Sequence, residues 1–233
     1  MQDSKVPSAA SNLQIMRALL AKDWRYFRLP MLALLIAGAG CYAMVSASML
    51  FMQPSETTPQ AISSGAGVAI ALTAMIASAF GGIAIAGERA DRTGDFMALL
   101  PVTRFQMLLS KCVMSVLLLG ASVIFHAFIA FYVLGPYWKA TPEWSHGLTL
   151  CSGLTISFFG IAWLFSSFTK SGPISACIAI AITLGSTVLV SLSFDGHNHT
   201  EFIVTMTTTA VTTAIGMTSL ACGTVYYLRR IAP

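Results

Sequence analysis

Six stretches of this chain stay predominantly apolar for more than twenty residues each, and almost no charge interrupts them. They run over 30–52, 62–87, 106–134, 148–169, 173–193 and 202–227. A helix rises 1.5 Å per residue, so about 20 apolar residues cross the hydrocarbon core of a bilayer. Inside lipid every backbone N–H and C=O must be satisfied within the protein, and a helix does this within one segment. The expected fold is therefore an all-α membrane protein with six transmembrane helices. The chain is 56% hydrophobic and 9% charged, against about 25% charged residues in soluble domains. A soluble fold could not hide this much apolar surface. The net charge of +4 is too small to argue for a nucleic-acid partner.

Orientation follows from Lys and Arg, which favour the cytoplasmic side. With the N-terminus inside, the inner segments hold Lys5, Arg17, Lys22, Arg25, Arg28, Arg89, Arg92, Arg104, Lys111, Lys170, Arg229 and Arg230. The outer loops hold Lys139 alone. Both termini are then expected in the cytoplasm. Residues 1–29 form a cytoplasmic N-terminal segment, and 30–233 a single six-helix domain. The first apolar run is longer than the core of a signal peptide and follows a long polar and amphipathic lead, so it is expected to stay on the chain.

Local signals refine this outline. Over 12–28, Leu13, Met16, Leu20, Trp24 and Phe27 recur at helical spacing, while Arg17, Lys22, Arg25 and Arg28 fall on another side. That pattern predicts an amphipathic helix in the membrane interface, with Pro30 suited to a change of direction into the first span. Lys170-Ser171-Gly172 before Pro173 predicts a tight helical hairpin, since Pro is tolerated in the first turn of a helix. Tyr137, Trp138 and Trp144 in the second outer loop suit interface anchors.

The loop between the second and third spans is the most distinctive segment. It reads Gly87-Glu88-Arg89-Ala90-Asp91-Arg92-Thr93-Gly94-Asp95-Phe96-Met97-Ala98-Leu99-Leu100-Pro101-Val102-Thr103-Arg104. Gly94 breaks the run. Asp95–Leu100 can form a short helix whose acidic start suits the positive end of the helix dipole. Phe96, Leu99 and Leu100 make an apolar knob, Pro101 ends it, and Thr103 can cap the following helix. A knob of this kind is shaped to enter a groove on a soluble partner.

Over Gly87–Lys111 the order Glu-Arg, Thr-Gly-Asp-Phe, Leu-Pro-Val-Thr-Arg and then Lys resembles the permeases of type-2 ATP-binding-cassette (ABC) transporters of the bacterial exporter kind. The resemblance implies a membrane-spanning permease in the bacterial cytoplasmic membrane, working as a dimer with a second copy or a homologous permease. It implies that the loop is a coupling helix receiving motion from a cytoplasmic ABC ATPase subunit, with Glu88, Arg89, Asp95, Phe96, Pro101 and Arg104 as contact candidates. The chain itself has no G-x-x-x-x-G-K-[ST] phosphate loop and no soluble stretch long enough for an ATPase domain. ATP and Mg are therefore expected on the partner subunit, with no catalytic residue, cofactor or metal on this chain. Spans two, four, five and six carry no Asp, Glu, Lys or Arg in their middles. Ion-driven carriers need such groups, so an external energy source is favoured. The alternative is a non-transporting scaffold or sensor that docks a cytoplasmic partner. An intramembrane enzyme is disfavoured because neither H-E-x-x-H nor G-x-S-x-G is present.

Several polar features keep two readings. His126, within the third span, could line a translocation path or hydrogen-bond a neighbouring helix. Thr205, Thr209, Thr212, Gly216 and Ser219 share a side of the sixth span and could line a cavity or pack closely against another helix. Asp195, His197, His199 and Glu201 in the last outer loop are expected to be solvated, since an alternating His pair sets no metal geometry. The five cysteines are dispersed through apolar runs and are expected to be small packing residues.

Overall fold

The computed structural model describes residues 12–51, 58–90, 102–134, 143–194 and 201–230. Among them are six helices and no strand: α1 Asn12–Phe51, α2 Thr58–Ala90, α3 Arg104–Leu134, α4 Glu143–Ser166, α5 Gly172–Phe194 and α6 Glu201–Arg230. Five of them contain a stretch long and apolar enough to cross a membrane, namely Ala71–Ala90, Arg104–Ala121, Thr149–Ser166, Gly172–Phe194 and Phe202–Arg229.

The first helix departs from expectation. The interfacial segment and the first apolar run are one continuous helix of 40 residues, with Pro30 in its interior. The face it buries also differs from the apolar stripe read from the sequence. Leu19, Asp23, Phe27, Leu34 and Gly38 are buried, at spacings of four, four, seven and four. Leu13 and Trp24 remain exposed, and Met16 and Leu20 are half-buried. A stripe judged by hydrophobicity alone omits Asp23, because a carboxylate normally marks the wet face.

The local helix signals are where the sequence placed them. Thr103 and Gln106 form a reciprocal capping box at the start of α3. The Gln106 amide donates to Thr103 Oγ1 at 3.2 Å, and the Thr103 amide donates to Gln106 Oε1 at 2.9 Å. Two otherwise orphaned donors are satisfied in this way. After α4 the amides of Ser167, Phe168 and Thr169 close a tight turn onto Leu164 and Phe165. Helix α5 begins at Gly172, with Pro173 in its first turn.

Packing follows the rule for helices in lipid. Bilayer tails are as apolar as Leu, so burying large side chains gains little, and helices associate through close contact of small residues. The buried positions are accordingly rich in Ala, Ser, Thr and Gly. They include Ala74, Ala77, Ser78 and Ala86 on α2, Ser157 and Ala162 on α4, Ser175, Ala179 and Thr183 on α5, and Thr212 on α6. Large side chains such as Ile124, Phe128, Leu189 and Leu192 point outward. Cys177 and Cys222 also face outward, so those two are not the buried packing residues expected.

Helix α2 is the hub, packing against α1, α3, α4 and α5. Gly81 lets it approach α4, where an added Cβ would lie 2.5 Å from the Phe159 carbonyl oxygen, and Gly82 does the same against the Gly172 carbonyl oxygen of α5. The closest crossing joins α4 to α6. A Cβ on Gly160 would overlap the Gly216 carbonyl oxygen, and one on Gly216 would stand 2.5 Å from the Ile156 carbonyl oxygen. Ser157 Oγ and Thr183 Oγ1 add a buried hydrogen bond of 3.1 Å between α4 and α5.

Gly160→Ala should therefore push α4 from α6 and cost about 1–3 kcal/mol, the usual range for overpacking. Gly120 on α3 has nothing within 4 Å of an added Cβ, so Gly120→Ala should leave stability unchanged or slightly raised. Thermal unfolding midpoints in detergent compare the two directly.

Candidate functional site

The loop singled out by the sequence leaves α2 at Ala90 and rejoins the helical bundle at α3. Residues 91–101, and with them Asp95, Phe96 and Pro101 and the expected short coupling helix, lie outside the described residues. The two stems of the loop are described, and they hold the strongest concentration of buried charge in the described structure.

Four ionisable side chains from three helices meet there. Lys22 and Asp23 come from α1, Glu88 from the end of α2, and Lys111 from the second turn of α3. Lys111 Nζ lies 2.9 Å from Glu88 Oε1 and 3.7 Å from Asp23 Oδ1. Lys22 contacts the same Glu88 oxygen and lies 3.4 Å from Asp23 Oδ1. Ser110 donates its hydroxyl to Asp23 Oδ2 at 2.5 Å. Lys111 and Asp23 are almost wholly buried, at 2% and 1% exposure, and Glu88 is nearly so, while Lys22 keeps 22%.

The arrangement is charge-neutral, with two ammonium groups against two carboxylates. An isolated buried charge would cost many kcal/mol, and only mutual pairing with extra hydrogen bonds makes such burial tolerable. Burial alone works against the charge on Lys22. The neighbouring Glu88 and Asp23 outweigh it and hold its pKa above the usual lysine value. Below this cluster lies an apolar plug of Phe27, Phe80, Ile85, Leu108, Met114, Trp163 and Tyr227, with the Phe27 and Phe80 ring centroids 5.6 Å apart. Tyr227 brings the end of α6 to the same place.

The structure thus treats the sequence candidates differently. Glu88 is buried and faces inward onto two lysines. Arg89 and Arg104 are half-buried at the loop's two ends. Lys22 and Lys111, read from the sequence only as topology signals, are members of the cluster, and Asp23 was not singled out at all. A signal for Asp23 existed. It is the one acidic residue in α1, and it falls at i+4 from Leu19 and i−4 from Phe27, so it lies on their face.

The polar stripe of α6 packs against α4. A Cβ on Gly153 would lie 3.0 Å from Thr209 Cγ2 and Thr212 Oγ1. The hydroxyls of Thr209 and Thr212 donate to the carbonyls of Thr205 and Thr208 on their own helix, each at 2.8 Å. Thr205 is half-buried. The close fit favours packing among the two readings of this stripe. His126 lies within α3, with its side chain outside those described, and residues 195–200 of the last loop are likewise outside.

Long apolar helices around a small-residue core, with the buried charge among the described residues confined to one end, define a multi-pass membrane protein. A family model described as ABC-2 family transporter protein matches residues 9–218, and the chain belongs to that family. Comparison with curated proteins and with solved structures found no match. The family is that of ABC transporter permeases, a membrane transport component that is not itself catalytic.

Glu88→Gln should leave the buried Lys111 and the half-buried Lys22 facing one carboxylate and cost about 3–5 kcal/mol, as removal of one partner of a buried pair does. The double variant Glu88→Gln with Lys111→Gln restores neutrality and should recover part of that loss. A double-mutant cycle on thermal midpoints in detergent measures the coupling.

Proposed function

We propose that this chain is the permease subunit of an ATP-driven exporter, with six membrane crossings and both termini in the cytoplasm. ATP and Mg bind a separate cytoplasmic ABC ATPase subunit, and a second permease copy or a homologous permease completes the pathway. The loop over 88–104 is the coupling element in this reading, with Phe96 as the apolar contact to the ATPase. Asp95, Pro101, Arg89 and Arg104 shape and flank that contact. Glu88 acts from the loop base, where it holds the stems.

The observation that carries this reading is the ion cluster. Glu88 and Lys111 stand on opposite sides of the loop and are 2.9 Å apart, so its two stems are pinned together, and Asp23 and Lys22 pin α1 to both. A load applied to such a loop is not absorbed by splaying of its stems. It passes to α1, α2 and α3 as a unit, and through α2 to α4 and α5, which it also contacts. Switching between inward- and outward-facing states further requires that ATP bind the two states with different affinity.

Purification from native membranes in mild detergent should retain a soluble subunit with a phosphate-loop sequence in stoichiometric amount, identified by mass spectrometry. Phe96→Asp should leave the permease folded while abolishing the permease-dependent part of that subunit's ATPase activity. Purification of the chain alone across several mild detergents would sink the ATPase partnership. Unchanged ATPase activity in the variant would remove Phe96 from the contact.

A further inference from the structure

Helix α1 carries a second charged feature, on the side opposite its buried face and separate from the ion cluster. Arg25 and Arg28 are three residues apart, hence on one helical face, and both are exposed. Around them Trp24 is 46% exposed, Leu29 71% and Leu32 57%. Asp23, the acidic residue of the helix, points the other way into the cluster. Among the described residues no carboxylate pairs with either guanidinium.

Their level along the bundle makes this unusual. The end of the α2 span is marked by Glu88, which meets Lys22. One to two turns further along α1, Phe27 packs on Phe80. Phe80 lies eight residues before Glu88, about 12 Å along the helix axis. Arg25 and Arg28 bracket Phe27 in sequence, so their backbone lies beyond the buried ion pairs along α1, beside the apolar stretch of α2 that holds Phe80. A guanidinium left among acyl chains costs at least about 2.5 kcal/mol.

The helix geometry offers a way out. Each Cα–Cβ bond tilts toward the helix N-terminus, and the N-terminus of α1 is the end nearest the ion cluster. Arg25 and Arg28 can therefore extend back to headgroup level while Trp24, Leu29 and Leu32 stay among the lipid chains, which is how long basic side chains resolve such a position. At that level the matching anion is a phosphate, to which a guanidinium donates two parallel hydrogen bonds. We propose that Arg25 and Arg28, with Trp24 beside them, form a binding surface for the phosphate of an anionic phospholipid packed along α1. Two positive charges without a counter-ion among the described residues select an anionic lipid over a zwitterionic one, whose own ammonium competes for the phosphate. The inference does not depend on the loop acting as a coupling element.

Native mass spectrometry of the full chain, purified in mild detergent and exposed to equal amounts of phosphatidylglycerol and phosphatidylcholine, tests it. The wild type should retain phosphatidylglycerol in preference. R25Q/R28Q removes both guanidinium groups and should lower that retention by at least about tenfold, the effect of losing even one charge-assisted contact, with phosphatidylcholine retention unchanged. R229Q, which removes an exposed charge near the end of α6, should behave as wild type. If the double variant does not fold, R25Q and R28Q singly carry the same comparison. Equal retention of the two lipids by the wild type, unchanged phosphatidylglycerol retention in the variants, or an equal loss in R229Q would each overturn the proposal.

Discussion

A charge buried where water cannot follow has to find its opposite inside the protein. Lys111 sits two turns into an otherwise apolar helix and is 2% exposed, so α3 can pack only where carboxylates await it. Glu88 from α2 and Asp23 from α1 supply them, and Ser110, next to Lys111 in the chain, satisfies the second oxygen of Asp23. Pairing of this kind adds little net stability compared with an apolar core, but it penalises every arrangement in which a partner is missing. In this chain it selects which helices meet at one end of the bundle, and in what register.

Away from that end the helices are held by a different force. Between membrane helices the gain comes from close contact and shared hydrogen bonds. Gly81, Gly82, Gly160 and Gly216 bring backbones to distances that no side chain would permit, and Thr and Ser hydroxyls occupy the remaining buried space. Gly81 and Gly82, adjacent in sequence, seat α2 against α4 and α5 respectively. One helix therefore joins the ion cluster at its end to the small-residue interfaces along its length. In the proposed coupling, this is the route by which displacement at the loop reaches helices that have no charged contact with it.

The two halves of α1's charge serve different surroundings. Lys22 and Asp23 turn inward and tie α1 to the loop stems, while Arg25 and Arg28 turn outward at the level of the apolar plug. The division follows from helical geometry, since Arg25 and Arg28, two and five residues after Asp23, point roughly 200° and about 140° around the axis from it. Helix α1 continues through Pro30, and its first half is anchored inside by the cluster and by Phe27 on Phe80.

Much of the architecture was legible in the residues alone. Apolar run length decided helices over strands and lipid over water. Thr103, and Pro173 after Gly172, marked helix starts that the structure reproduces, with Gln106 completing the cap at Thr103. The ABC-2 family was readable from the ordered motifs around the loop. The site was only partly legible. Glu88 stood out as a loop contact candidate implied by the family resemblance, but its inward direction did not, and Lys22 and Lys111 looked like topology signals. Asp23 looked like one more polar residue on an amphipathic helix. The sequence by itself determined where the helices lie and that charge gathers near the loop, because helix length and burial preference are local properties of a chain in lipid. The tertiary structure alone decided which charges are shared, because Asp23, Glu88 and Lys111 lie far apart in sequence and meet only when three helices pack. No local pattern encodes a contact whose partners stand on three different helices.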